Sequence, residues 1–331
     1  MPLLAILFLV IAGCQSSPVL IQRSQMLMGT LVQVTAVGPD AAVAQKAAAD
    51  ALAEIKRLEN LLSTWIPESE LSRVNAAAGR HPVKVSPESM ELLDRSLEVA
   101  DLTEGAFNIA VGPAVKAWNV SGNGRIPSQD ELEALRPLID LSQVQLNHGA
   151  GTVYLAREGM QIDIGGIGKG FAADRAITVM EALGATAGVV AISGDIETFG
   201  RMPDDQRFVF GIQHPRKDQG HLLARIELEN EAVSTAGDYQ RYLEVEGVRY
   251  HHILDPKTLQ PSRSSQSVTV IAKEGVVADG LDTGIFVLGP EKGMALIERL
   301  FGVEGVIVDG AGKVWVSSGL KERLQMEKAE P

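Results

Sequence analysis

Apolar residues recur along the chain with the period of a helix in some stretches and of a strand in others, and Gly, Pro and Asn separate the runs. Leu31 to Val37 is rich in β-formers. From Asp40 onward, Val43, Ala47, Leu52, Ile55, Leu58 and Leu62 fall on one helical stripe. Ser86-Pro87 predicts a second helix, an N-cap followed by proline at the first helical position, with Met90, Leu93, Leu97 and Ala100 as its buried face. A third opens on a capping box, Ser128 to Glu131. In the second half, Val153 to Ala156 reads as a strand, and a helix from about Phe171 to Leu183 stops at Gly184 ahead of the apolar run Gly188 to Ile192. Further strands are predicted at Arg207 to Ile212, Leu222 to Leu228, Tyr242 to Val245, Val248 to Ile253 and Ser267 to Ala272. A last helix, Glu291 to Leu300, precedes a hairpin over Gly305 to Val316 that turns at Asp309-Gly310. Gln15 to Gln25 reads as a polar linker and residues 323–331 as a polar tail. With no repeat period and no low-complexity block, the pattern is that of a compact mixed α/β protein.

Composition narrows the class. At 331 residues and 45% hydrophobic, the chain can bury a substantial core, so disorder is excluded. A net charge of −12 argues against a nucleic-acid partner, which would call for a basic excess. The single cysteine, Cys14, rules out a disulfide framework and a multi-cysteine metal cluster. Met1 to Ala12 is apolar, too short to span a bilayer and right for the hydrophobic region of a signal peptide. Ile11-Ala12-Gly13-Cys14 resembles a bacterial lipobox, in which the cysteine is acylated and becomes the mature N-terminus. The expected organisation is a signal peptide over residues 1–13, a lipidated N-terminus and linker over 14–25, a catalytic domain over 26–322 and a tail.

Three stretches could carry chemistry. Asp163 to Asp174 holds four glycines and Lys169 ahead of a helix, which suits a phosphate cradle or a structural turn; it fits neither the Walker pattern nor G-x-G-x-x-G. If Ala278 to Thr283 begins a helix, Asp279 and Thr283 lie one turn apart with Asp282 beside them, oxygen ligands suited to magnesium. An aspartate N-cap with solvated neighbours fits the same residues. In Tyr250-His251-His252-Ile253, adjacent histidines on a strand point to opposite faces, so at most one reaches a site, as a base or a positioning group; a histidine satisfied by local hydrogen bonds is the other reading.

Read in order, these stretches and others resemble the ApbE-type FAD:protein FMN transferases, the flavin-trafficking family. The marks are Met28-Gly29-Thr30, Ser63-Thr64-Trp65, Ser69 to Asn75, Gly105 to Asn108, Val111-Gly112-Pro113 with Trp118, Asp163 to Ala172, Ser193-Gly194-Asp195, Ser234 to Tyr239, His251 to Pro256 and Ala278 to Thr283. The resemblance implies one α+β catalytic unit with a flavin cleft between its halves. It implies that Met28, Trp65, Ala106, Phe107, Asn108, Asp163, Lys169 and Ile253 line the FAD site, with Trp65 against the flavin ring. It also implies that Gly166 offers a carbonyl to Mg2+, with Asp279, Asp282 and Thr283 supplying side-chain oxygens. FAD is then the substrate, AMP the leaving group, and the acceptor a Thr or Ser hydroxyl of an exported or membrane flavoprotein. His252 is the candidate base, with Asp279 second. A lipid anchor would place the enzyme on the outer face of a bacterial cell membrane, within the envelope. Two departures stand out: Asn108 where many members have aspartate, and Thr258-Leu259 in place of Thr-Gly after the Asp-Pro turn. A magnesium-dependent FAD pyrophosphatase and a non-catalytic flavin-binding lipoprotein are the competing functions.

Overall fold

A computed structural model describes residues 17–327; the signal-peptide span 1–13, the acylation candidate Cys14 and residues 328–331 lie outside them. β1 (Val19–Leu27) and β2 (Thr30–Gly38) form an antiparallel hairpin. From Val19 onward, therefore, the span read as a linker is a strand. It sits at the sheet edge with most side chains exposed, so no apolar alternation betrays it. Asp40 caps α1 (Ala41–Leu62) by accepting the Val43 N–H at 2.9 Å.

Serines 69, 86 and 128 cap α2 (Glu70–Ala76), α3 (Pro87–Leu102) and, after α4 (Gly112–Trp118), α5 (Gln129–Leu135). β3 (Val83–Lys84) lies between α2 and α3. At Ser128 only half of the box forms, because the Glu131 carboxylate turns to Arg125. β4 (Val144–Asn147) and β5 (Thr152–Leu155) join β3 in a small sheet ordered β3-β5-β4.

The second half runs α6 (Gly168–Ala182), β6 (Ala187–Ile192), β7 (Asp195–Phe199), β8 (Phe208–Gln213), β9 (Leu222–Leu228), β10 (Ala232–Gly237), β11 (Tyr242–Val245), β12 (Val248–His251) and β13 (Ser265–Ala272). It ends with α7 (Gly275–Leu288), α8 (Pro290–Arg299), β14 (Glu304–Asp309), β15 (Val314–Val316) and β16 (Leu324–Met326). β16 pairs with β9, so the expected tail is structured as far as this short, mostly exposed strand.

Among the described residues the main sheet has the order β1-β2-β6-β7-β10-β13-β14-β15, antiparallel throughout. α1, α6, α7 and α8 cover one face, and the sheet β16-β9-β8 packs on part of the other. Alternation along the central strands sorts the two cores: Val268 and Val270 of β13 face the helices, and Ile271 joins Val233, Ile226 and Val306 on the far side. Covered on both faces, β13 is buried along its whole length.

α6 and α7 cross at their N-terminal ends. Gly170 lies so close to Gly275 that a Cβ there would stand 2.1 Å from the Gly275 carbonyl oxygen. Neither helix has a side-chain cap from its own N-cap residue, Ile167 or Glu274. Each is capped by the other instead. Asp279 of α7 accepts the N–H groups of Lys169 (3.1 Å) and Gly170 (2.8 Å), and Asp174 of α6 accepts those of Gly275 (2.6 Å) and Val276 (2.9 Å). This exchange explains why α6 begins at Gly168, three residues ahead of the start predicted at Phe171: the glycines are helical because a tertiary partner satisfies their donors. Behind Asp174 lies buried Glu197, whose carboxyl burial and the Asp174 charge push up to about 10.

Gly170→Ala is expected to cost about 3 kcal/mol by forcing the two helices apart, read as a lowered urea midpoint. Between about pH 4.5 and about 10 the folded chain keeps the Glu197 proton that the unfolded chain gives up, so this residue lowers stability as pH rises through that window. Glu197→Gln should remove that loss, giving a variant that melts above the parent at about pH 9 and equals it at about pH 4.

Candidate functional site

The exchanged caps set the floor of a cleft lined from both halves of the chain. Asp195 at the start of β7 and Asp279 and Asp282 on α7 are all buried, and each places a carboxylate oxygen within 4.8 Å of the others. The Ser234 hydroxyl of β10 lies 2.6 Å from Asp282 Oδ2 and also against Asp195 Oδ1. One hydroxyl hydrogen cannot serve two carboxylates, so a further proton or a cation belongs among these acids. Thr283 Oγ1 donates to Asp282 Oδ1 at 3.1 Å. The glycine turn closes over the group: a Cβ at Gly166 would stand 2.9 Å from Thr283 Oγ1. Gly166, Asp279, Asp282 and Thr283, expected to share a metal, are thus brought together.

Among the described residues, Lys169 is the one cation with an ion pair to this group: its Nζ pairs with Asp195 and lies 3.7 Å from Asp279 Oδ1. Burial opposes its charge, but the attraction of Asp195 and Asp279 outweighs that and raises its pKa. One lysine does not balance three carboxylates. Burial and then the Asp195 charge push Asp279 up to about 7, and burial with the charge of Asp279 raises Asp282 well above the ordinary range. An excess of buried oxygen ligands, short of positive charge, fits a hard divalent cation such as magnesium.

The histidines separate as their spacing predicts. His251, at the end of β12, is buried with Nε2 on the Ser262 carbonyl (2.6 Å), Nδ1 accepting the Ile253 N–H (3.2 Å) and its ring edge-on to Phe286. It is fully used by the fold. His252 follows the strand and lines the cleft with Asp279, Asp282 and Thr283; its Nδ1 donates to the Arg241 carbonyl at 3.2 Å, which leaves Nε2 for a ligand. Burial pushes its pKa down to about 4, so the ring is neutral near physiological pH.

The residues implied for flavin line two adjoining cavities of about 650 and 180 Å³ that share Trp65, Asp163 and Lys169. Met28 lines the larger, and Ala106, Phe107, Asn108 and Ile253 the smaller, beside the carboxylates. Trp65 is 70% exposed, a free aromatic face at the mouth. Met28 holds φ +51 in the β1–β2 turn, and its N–H donates to Glu59 at 2.7 Å. Asn108 caps a short turn by accepting the Ala110 N–H at 2.8 Å, leaving its amide NH2 for the cavity. Asp163 accepts the Gly165 N–H at 2.8 Å, while Asn75 bonds both backbone groups of Ile162 at 2.6 and 2.9 Å and so fixes the turn. Leu259 adopts φ +59, the backbone a glycine would take, held by full burial and by the Trp118 indole donating to its carbonyl at 2.8 Å.

This geometry has close counterparts. The ApbE family model matches residues 28–307. The chain belongs to the ApbE family. It is 32% identical to an FAD:protein FMN transferase of Klebsiella pneumoniae over 91% of this chain and 88% of that one. It is 33% identical to one of Treponema pallidum over 92% and 88%. The fold superposes on the crystal structure of an ApbE protein from Thermotoga maritima with a TM-score of 0.85 and 30% identity, over 93% of this chain and all of that one. The expected family, the mixed α/β fold and the reading of the chain as an enzyme are thereby borne out.

Sequence reasoning gave no role to Asp195, Ser234 or Arg241. Asp195 was visible only as the end of Ser193-Gly194-Asp195; β7–β10 pairing sets it beside Ser234 and the packing of α7 on the sheet brings it to Asp279, neither of which any spacing reveals. Asp195→Asn is expected to weaken manganese or magnesium binding about 10- to 100-fold in titration calorimetry, with the melting curve of the metal-free protein little changed.

Proposed function

We propose that this ApbE-family enzyme carries out magnesium-dependent transfer of the FMN moiety of FAD, with release of AMP, onto a Thr or Ser hydroxyl of an exported or membrane flavoprotein. The observation that carries the reading is the buried Asp195, Asp279 and Asp282 group at the floor of a cleft that also holds Trp65, Lys169 and the free face of His252. Asp279, Asp282, Thr283 and the Gly166 carbonyl would hold the ion, with Asp195 added by its position. Bound there, magnesium supplies neutralisation of the pyrophosphate charge that otherwise repels a nucleophile.

The chain's own groups do the rest. Trp65 gives the flavin ring an apolar face, and Lys169 sets a positive charge beside the phosphates. His252 is held by its Nδ1 donation to Arg241 with Nε2 unprotonated, ready to take the acceptor hydroxyl's proton as oxygen bonds to the FMN phosphorus and the bond to AMP breaks. The negative charge of bound FAD raises the low basicity that burial gives this imidazole. The exposed mouth admits water as well, which supports slow hydrolysis of FAD when no acceptor is present.

Acylation of Cys14 would tether the domain at the outer face of a membrane, beside exported acceptors; the motif Ile11 to Cys14 supports this, and among the described residues no helix is long and apolar enough to cross a membrane.

Intact-mass spectrometry of an acceptor domain after incubation with FAD, magnesium and the chain from Gln15 should show a gain of one FMN. Asp279→Ala and omission of magnesium should abolish it. His252→Ala should lower transfer about 100-fold with FAD affinity retained. FAD cleaved with the acceptor unlabelled would establish the pyrophosphatase, and FAD bound uncleaved the carrier.

A further inference from the structure

A third cavity, about 920 Å³, opens where the main sheet and the β16-β9-β8 sheet part. None of the eight residues implied for flavin lines it. It nevertheless meets the reaction centre, because Thr30, Ser193, Thr235, Gln240 and Arg241 line both this groove and the cavity of the carboxylates. Ile196, Phe210 and Val233 give it an apolar floor. One wall is β8, the free edge of its sheet, a setting suited to extended peptide.

The charge on its rim is opposite to that of the molecule. Arg216, Lys217, Arg241 and Arg249 stand there against two carboxylates, Asp218 in the groove lining and Asp238 behind it. Asp238 is shared: Arg216 grips it with two 2.7 Å bonds, and Arg249 reaches it at 3.5 Å while lying over the Tyr242 ring. Among the described residues, Lys217 and Arg241 have no carboxylate partner. In a chain of net charge −12, the rim of this groove carries a local surplus of positive side chains.

We propose that this groove seats an extended, acidic segment of the acceptor protein, adjacent in sequence to the hydroxyl residue that receives FMN. The proposal rests on the transferase reading. The apolar floor takes a side chain of the segment, the cationic rim selects its charge, and the shared wall delivers the hydroxyl to the cleft. The surplus negative charge elsewhere on the enzyme turns the same segment away from other surfaces.

The test uses two Thr-centred peptides that differ only in their flanking residues, Asp/Glu in one and Lys in the other, each incubated with the enzyme, FAD and magnesium. Binding is read by fluorescence anisotropy and FMN transfer by mass. The acid-flanked peptide should be labelled at least about tenfold more efficiently than the Lys-flanked one, through a lower KM at similar kcat. Lys217→Glu, an exposed loop change, should abolish that preference without altering FAD affinity, whereas Val209→Glu on the outer face of β8 should leave it intact. Equal labelling of both peptides, or a preference untouched by Lys217→Glu, overturns the groove and leaves the transferase standing. Bound FAD with no labelling of either peptide removes both.

Discussion

α6 and α7 are each capped by an aspartate of the other helix, and the site depends on that exchange. Asp279 and Asp174 satisfy amide groups that neither helix can satisfy from its own sequence, across a crossing close enough that only hydrogen fits at Gly170. The same Asp279 bonds fix one of its oxygens on backbone and turn the other toward Lys169 and the cleft. Asp282 and Thr283 follow on the same helix, so their placement is inherited from the cap. Glu197 lies buried behind Asp174 on the β7 side, where burial and the Asp174 charge raise its proton affinity, so it adds no further buried charge near neutral pH.

The price of the arrangement is electrostatic. Three buried carboxylates share one lysine as their ion-pair partner, with the hydroxyls of Ser234 and Thr283 and two backbone N–H groups as neutral donors, a set that would be poor engineering for stability alone. Raised proton affinity at Asp279 and Asp282 expresses that cost, and under the proposed function a divalent ion bound there would offset it. Local violation of the rules that stabilise the rest of the fold is the usual mark of a working site. The two histidines make the same point from the other side. His251 has both ring nitrogens engaged and is part of the scaffold, whereas His252 has one engaged and one open to the cleft.

Much of the scaffold could be read from the chain because its signals are local. The helical stripe beginning at Val43, the Ser86-Pro87 start and the strand Leu222 to Leu228 each depend on residues within a few positions of one another, and all three appear where they were predicted. β1 escaped because an exposed edge strand needs no apolar alternation, and the first turn of α6 escaped because its glycines read as a turn until a distant aspartate caps them. Leu259 likewise holds a left-handed backbone that its side chain alone would disfavour, stabilised by burial and Trp118.

The sequence by itself determined the class of fold, the order of most elements, the family and the candidate residues, since each of these is written in periodicity, capping chemistry and short motifs. The tertiary structure alone decided which of those residues meet. Asp195 joins Asp279 and Asp282, Ser234 reaches both Asp195 and Asp282, and Arg241 holds His252 only because the antiparallel sheet and the α6–α7 crossing bring far-separated segments within hydrogen-bonding reach. Such contacts arise from packing and strand register, whose physical causes are spread over the whole core and leave no mark in any one stretch of chain.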